Sequence, residues 1–297
     1  MREHNPFEVD GNWFRGNLHT HTTVSDGDLS PADMSGVYRE NGYDFVYLTD
    51  HYKVADVAGL SSDEFLTLPG AELSGNAGKR VCDLLSINIS ETPDMPGDAP
   101  ANEVIAAVRG MGGAVILAHP YDLISSDVLG LDGILGLEVY NHSVHMNVKR
   151  GLAAQHWDAA LARGKRLLGF ATDDAHYHFN DYRPSDVCGG WIMVKAAELS
   201  GKAVFAAICA GMFYARNFNL CVYLEVRDET VYARTAEPCR SINFVGPNWG
   251  TSRSFTPIDG SLISEAEFEF REGQTYVRVE CAAPGGSMAW TQPVWVG

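Results

Sequence analysis

Gly112-Gly113-Ala114-Val115-Ile116-Leu117-Ala118-His119-Pro120 is the most telling segment of the chain. The glycine pair breaks a helical segment over residues 104–111, and the apolar run that follows is short enough to be a buried strand. That strand ends on a histidine. The same pattern recurs along the chain. Phe45-Val46-Tyr47-Leu48 ends at Thr49-Asp50-His51, Leu68-Pro69-Gly70-Ala71 at Glu72, and Leu167-Leu168-Gly169-Phe170-Ala171 at Thr172-Asp173-Asp174. Residues 135–140 form a further strand ending near Asn141. Helices fit between these strands. Ser30-Pro31 opens one as a cap followed by a first-turn proline, and residues 147–162 make a long one that stops near Gly164. Such alternation over residues 15–195 predicts an α/β fold with a largely parallel sheet or barrel. In an α/β barrel the C-terminal strand ends converge on one face, where active sites sit.

The tail reads differently. Ser200 begins a helix ending near Gly211, and from about Arg216 onward short alternating segments follow at 220–226, 230–234 and 276–280. Pro284-Gly285-Gly286 marks a hairpin turn. The expected division is a first domain over 1–215 and an all-β, sandwich-like module over 216–297.

Composition narrows the function. With 45% apolar residues in a chain of 297, a sizeable core is easy to bury. A formal charge of −16 repels phosphate backbones, which disfavours a nucleic-acid polymer as partner. A small anionic substrate stays open, because bound metal ions reverse the local field. The opening MREHNPFEVDGNW holds no apolar run of signal-peptide type, and no stretch is long and apolar enough for a membrane span. Cysteines 82, 188, 209, 221, 239 and 281 form no CxxC pair, which fits reduced thiols and a cytoplasmic location rather than a structural zinc site. The absence of a GxSxG segment disfavours a serine hydrolase, and the absence of a Walker-type loop disfavours nucleotide-driven phosphotransfer.

The chemistry sits in the polar residues at the strand ends. His19-Thr20-His21 sets two imidazoles on one face of an extended segment, close enough to share an ion. Asp26 follows in a turn, and His51, Glu72, His119, Asp174 and His176 complete the set. Taken singly, each is better explained as a core histidine or a capping acid. Together, each at a strand end or in the turn beside one, they point to metal binding.

The ordered series HTH (19–21), SDG (25–27), TDH (49–51), GAE (70–72), AHP (118–120) and DDAH (173–176) resembles the PHP (polymerase and histidinol phosphatase) family over residues 15 to about 195. Trp157-Asp158 before Gly164-Lys165-Arg166, and the segment from Gly190-Trp191 to Tyr214, resemble its CehA/McbA-type branch, which also carries a C-terminal β module. The resemblance implies a distorted (β/α)7 barrel with two or three divalent ions, Mn, Fe or Zn. It implies that His19, His21, Glu72 and Asp174 hold one ion, that Glu72 bridges to a second held also by His119, and that Asp26, His51 and His176 hold a third. The series departs from the family at Asp83, where a histidine usually stands, so Asp83 is expected as an altered ligand of the second ion. Glu138 and Asn141 of LEVYN read chiefly as hydrogen-bonding supports. His142 and His145 are expected at the rim, and Lys53, Asn141, His178 and Arg183 are candidates to meet substrate.

The leading expectation is a metal-dependent hydrolase. It would be a phosphoesterase that cleaves a small phosphate mono- or diester through a metal-bound hydroxide, with Asp174, His176 and His51 as candidates for proton relay. A carboxylic or carbamate ester hydrolase is the alternative, since the CehA/McbA-type branch is named for such activity. A domain that binds metal or ligand without turnover is third, disfavoured by the near-complete ligand set.

Overall fold

The computed structural model describes residues 5–178, 185–218 and 220–296. Its first part runs β1 (Asn12–Asn17), α1 (Pro31–Glu40), β2 (Phe45–Leu48), β3 (Leu66–Ala77), β4 (Arg80–Ile87), α2 (Ala101–Gly110), β5 (Ala114–Leu117), α3 (Ser125–Leu129), β6 (Gly136–Asn141), α4 (His142–Val148), α5 (Ala154–Leu161), β7 (Leu168–Thr172), β8 (Gly190–Ala196), α6 (Gly201–Cys209) and β9 (Phe213–Asn217). The remainder is β10 (Val222–Arg227), β11 (Thr230–Cys239), β12 (Ser241–Val245), β13 (Arg253–Phe255), β14 (Ile263–Glu269), β15 (Tyr276–Ala282), β16 (Met288–Thr291) and β17 (Val294–Trp295).

Local sequence explains most of these elements. Ser30 caps α1 by accepting the Asp33 amide at 3.2 Å, with Pro31 in the first turn, and Ser200 caps α6 through the Ala203 amide in the same way. The expected single helix over 147–162 is instead two. Lys149 adopts φ 60°, and a Cβ on Gly151 would lie 2.1 Å from the Asn141 carbonyl, so the chain turns sharply between α4 and α5. The β3–β4 hairpin turns at Gly78, with φ 67°.

One mixed sheet dominates, in the order β13-β12-β15-β16-β9-β8-β1-β2-β3-β4-β5-β6-β7. The neighbours β1-β2-β3 and β5-β6-β7 are parallel, whereas β4 runs antiparallel to both β3 and β5, and β8 antiparallel to β1. The expected α/β class is found, as a mixed fold with a large sheet and few helices. Two connections cannot carry a crossover helix, because β3 passes to β4 through a tight hairpin and β2 to β3 through an irregular segment. The run from β1 to β7 is tied back on itself, among the described residues, by a single parallel bridge between Thr20 and Ala175 just beyond the strand ends.

The core beneath this sheet includes Leu18, Leu84, Ile116, Val139, Trp157, Phe170 and Phe213, all without solvent exposure. Each such side chain contributes about 1.5–3 kcal/mol. Past β9 a three-stranded sheet, β10-β11-β14, packs its Val222, Leu224, Val231 and Phe268 against Ile242, Phe244 and Val279 of the large sheet, making a sandwich.

The tail is woven into the first part rather than appended. β16 pairs with β9, and the buried Arg278 guanidinium donates to both carboxylate oxygens of Asp158 on α5 at 2.7 and 2.8 Å. Gln292 acts as a surrogate strand for β7, accepting from the Gly169 amide and donating to its carbonyl, both at 2.9 Å. Gly169 must lack a side chain, because a Cβ there would sit 2.6 Å from the Trp157 ring. Gln292→Ala would strand two buried backbone groups and should cost about 2–3 kcal/mol. Urea unfolding of the variant should show a lower midpoint at unchanged slope. An unchanged midpoint would mean that the β7 edge does not depend on this side chain.

Candidate metal centre

The strand ends that carry the chemistry are laced together by backbone bonds. The Asp174 amide donates to the His19 carbonyl (3.0 Å), the His21 amide to Ala175 (2.8 Å), and the Thr49 amide to Thr20 (2.8 Å). His51 and Glu72 form a parallel bridge, with the Tyr52 amide on the Glu72 carbonyl at 2.9 Å. The Ala118 amide donates to the Asp83 carbonyl at 2.9 Å, which sets His119 beside Asp83. The backbone bends hard here: Tyr52, Asp174, Tyr177 and Cys188 all have φ between 55° and 65°. Non-glycine residues rarely adopt that region, and it concentrates where side chains must be aimed at a site.

Nine side chains gather into three overlapping groups. His19, His21, Glu72 and Asp174 form one, Glu72, Asp83 and His119 a second, and His21, Asp26, His51 and His176 a third. Glu72 is the hub. Its Oε2 lies 3.2 Å from His19 Nε2, 3.3 Å from His21 Nε2 and 3.2 Å from His51 Nδ1, and its Oε1 lies 3.1 Å from His119 Nε2. Asp174 Oδ1 sits 3.2 Å from the Nε2 atoms of both His19 and His21. His21 faces both ways, since its Nδ1 is 3.7 Å from Asp26 and its ring stacks on His176 at 4.1 Å.

Despite this crowding, His19 Nε2, both ring nitrogens of His21, and Glu72 Oε2 are buried without an aligned hydrogen bond. Buried polar atoms left unpaired are costly and rare. Here they converge with carboxylate oxygens as a set of imidazole and carboxylate donors suited to Mn, Fe or Zn. The residues fit divalent cations.

A surrounding layer fixes the donors. Glu138, fully buried, receives His19 Nδ1 at 2.7 Å, the Thr172 hydroxyl at 2.6 Å, the His119 amide at 2.7 Å and Asn141 Nδ2 at 2.9 Å. With Nδ1–H held by Glu138, the Nε2 lone pair of His19 faces Glu72 and Asp174. Asp50 accepts from the Thr22 and Ser25 amides and hydroxyls, pinning the turn that carries Asp26. Asp186 accepts from the His176 and Tyr177 amides at 2.9 and 3.1 Å. Asp173 accepts from Tyr38 Oη and from the amides of residues 188–190. Sequence reading missed the supporting roles of Asp50, Asp173 and Asp186. Asp50 and Asp173 adjoin a candidate ligand in its own motif, but Asp186 is joined to His176 only by the path of the chain.

The other candidates divide. His178 stands at the edge, 3.1 Å from Asp28 and with its ring 5.5 Å from that of His176. Lys53 is exposed and donates to the Val24 carbonyl at 2.9 Å, bracing the Asp26 turn. Asn141, a candidate substrate contact, is 1% exposed, and its side chain serves Glu138, Asp174 and the Val144 amide. It therefore belongs to the hydrogen-bonded frame. His142, expected at the rim, is buried and bonded to the Tyr140 hydroxyl at 2.9 Å, because it opens α4 facing the core. Arg183 lies outside the described residues.

The field of the cluster calls for positive charge. Burial works to lower the pKa of His119, but its bond to Glu72 and the charges of Glu72, Asp174 and Glu138 outweigh this and raise it to about 10. For His21, burial is likewise outweighed by the close carboxylates of Asp174 and Glu72, which raise it to about 9. Burial would raise Glu72 and Asp174, but the facing imidazoles hold both below the ordinary carboxylate range. His176 is lowered, by burial and by the neighbouring His21 charge.

Against known proteins, no family model matches the chain. An uncharacterized protein of Methanocaldococcus jannaschii is 25% identical over 173 residues, 54% of this chain and 64% of that protein. A two-domain Bacteroides vulgatus protein containing a predicted PHP-like metal-dependent phosphoesterase superimposes at a TM-score of 0.52 with 16% identity, covering 99% of this chain and 100% of its own. A candidate metal-dependent phosphoesterase of Bifidobacterium adolescentis (TM-score 0.44, 18% identity, 66% of this chain, 96% of that one) and a lesion-specific endonuclease of Pyrococcus furiosus (0.42, 15%, 67% and 56%) are weaker likenesses. The chain thus shares its fold with the Bacteroides vulgatus two-domain protein. No described helix is long and apolar enough to cross a membrane.

Proton linkage gives a direct test. Raised imidazole pKa values mean that His21 and His119 carry protons at neutral pH when no cation is bound. Their stabilisation is full below about 6.5, the ordinary histidine value, and is lost as pH rises through about 9 and 10. Metal-stripped protein should therefore lose melting temperature between pH 6.5 and 10, and adding Mn²⁺ in weak buffer at pH 7.5 should release protons. Metal uptake without proton release would contradict this electrostatic reading.

Proposed function

We propose that this chain is a metal-dependent phosphoesterase acting on a small phosphate mono- or diester. The observation that carries the reading is the sharing of the buried Glu72 carboxylate between donor groups that overlap at His21 and Glu72. In this reading His19, His21, Glu72 and Asp174 hold one ion, Glu72, Asp83 and His119 a second, and Asp26, His51, His21 and His176 a third. Residues 1–215 form the hydrolase unit and 216–297 the β module that braces it. Bound divalent ions would lower the pKa of a water and neutralise charge on phosphoryl oxygens.

The side chains divide the remaining work. Asp174 is held ionised by the imidazoles around it, so it acts as donor to a cation and not as the acid for a leaving group. His176 has its Nδ1 3.0 Å from the Asp174 carbonyl, which fixes the ring and turns Nε2 toward Asp26. His51 is the most exposed of the inner imidazoles, its side chain 37% accessible, and is placed to exchange a proton with solvent. His178, outside the three groups and beside Asp28, is positioned to protonate a departing oxygen. Tyr52 and Tyr121 are exposed next to His51 and His119, with ring centroids 6.5 and 6.2 Å away, and flank the entrance.

Chelator should abolish activity, and Mn²⁺, Fe²⁺ or Zn²⁺ should restore it. Phosphate esters should outperform neutral aryl carboxylic and carbamate esters in a parallel screen. Fast aryl-ester turnover without phosphate release would overturn the proposal in favour of the carboxyl or carbamate alternative.

Asp83 gives a finer test. The Ser74 hydroxyl donates to its Oδ1 at 2.6 Å, which orients the carboxylate beside Glu72 and His119. Asp83→Ala should lower metal content by up to one ion per chain, and Asp83→His should keep the ion and shift preference from Mn²⁺ toward Zn²⁺. Unchanged metal content in folded Asp83→Ala would reduce Asp83 to a partner of Ser74.

A further inference from the structure

The sandwich core contains two cysteines that the metal chemistry does not use. Cys239 is the last residue of β11, in the three-stranded sheet, and Cys281 lies in β15 of the large sheet. The chain crosses between the sheets at this point. Arg240 donates its amide to the Ala282 carbonyl at 2.7 Å, and Ile242 then pairs with Cys281. The residues just before Arg240 and Ala282 are thereby brought side by side, and each thiol is the largest influence on the other's ionisation. Both residues are fully buried in the same apolar cluster. Cys239 Sγ has otherwise only long contacts, 3.5 Å to Thr235 Oγ1 and 3.5 Å to the Glu237 carbonyl. The other cysteines are engaged or placed differently: Cys82 donates to the Gly75 carbonyl, Cys221 accepts from Arg216, Cys209 is exposed, and Cys188 lies beside the metal-centre frame.

We propose that Cys239 and Cys281 are a disulfide-forming pair that covalently staples the two sheets of the β module. The two thiols are not equivalent. In the folded chain the neighbouring Cys281 outweighs burial and lowers Cys239 to about 7, while Cys239, together with burial, holds Cys281 well above the ordinary thiol value. Once the sandwich opens, the contact that distinguishes the two thiols is lost and either can attack first, Cys239 for example. With a small disulfide such as oxidised glutathione as oxidant, the Cys239 thiolate attacks one sulfur and expels a glutathione thiolate, which takes up the proton that Cys239 released. Cys281 then loses its proton, attacks the Cys239 sulfur of the mixed disulfide and expels the second glutathione. Two protein thiols are oxidised and one glutathione disulfide is reduced to two thiols. Because both sulfurs are buried, the first attack takes place while the sandwich is open, during folding or transient unfolding.

The staple bears on more than the module. β15 also carries Arg278, which clamps Asp158, and the segment following β16 carries Gln292, which closes the β7 edge leading to Asp174. Cross-linking the sandwich therefore stabilises the scaffold behind the metal centre.

The test is to refold the full chain in oxidised glutathione and read its intact mass and its non-reduced tryptic peptides. The proposal expects a loss of two hydrogens, a single Cys239–Cys281 cross-linked peptide, and a melting temperature about 5 °C above that of the reduced protein. In Cys281→Ser, glutathione should remain trapped on Cys239. The wild-type mass result stands even if that variant fails to fold. Full alkylation of both thiols after oxidative refolding, or a cross-link joining any other pair, would overturn it.

Discussion

The structure turns on one carboxylate. Glu72 is 1% exposed, and imidazole nitrogens of His19, His21, His51 and His119 all lie within 3.3 Å of its two oxygens. A lone buried carboxylate would cost several kcal/mol, and four imidazoles crowded round it would repel one another if all were charged. The two problems share one remedy, a set of cations that removes the need for protons on the imidazoles. Glu138 extends the same logic outward. It brings a further negative charge to the cluster, and it locks the tautomer of His19 and the backbone of His119 at once.

The scaffold exists to make this crowding tolerable. The backbone bonds between strand ends fix the spacing of the donors before any side chain is considered, and the left-handed residues at Tyr52, Asp174 and Tyr177 turn the chain where an ordinary strand would carry its side chains away. Asp50, Asp173 and Asp186 each collect several amides from irregular segments. Those loops are held by buried acids rather than by secondary structure. The β module closes the far side, because β7 has a ladder partner on one side only and borrows Gln292 for the other.

Much of the site was legible because its residues sit at the ends of apolar strands, and strand ends can be read from local hydrophobic runs. The grouping of His19, His21, Glu72 and Asp174, of Glu72, Asp83 and His119, and of Asp26, His51 and His176 was expected and is found in space. The barrel was not legible in detail. Strand direction depends on connections, and the Gly78 hairpin that reverses β4 looks in sequence like any other glycine. His142 was misplaced for a related reason, and of the two expectations for Asn141 its contacts match the chief one, a hydrogen-bonding support, and not the substrate contact. Proximity in sequence to a ligand does not say on which side of a strand-to-helix junction a side chain falls, and both turn inward as α4 begins. Asp186 gave no local signal, since its role comes from a chain that returns to His176 from ten positions away.

The proposed chemistry stands on Glu72 bridging divalent ions. Crystals of protein purified without chelator, measured on both sides of the Mn, Fe and Zn absorption edges, test it most directly. Anomalous peaks are expected at two or three positions, with Glu72 contacting two of them and Asp83 and His119 sharing one. A well-ordered site with no anomalous peak touching Glu72, after metal reconstitution, would contradict it.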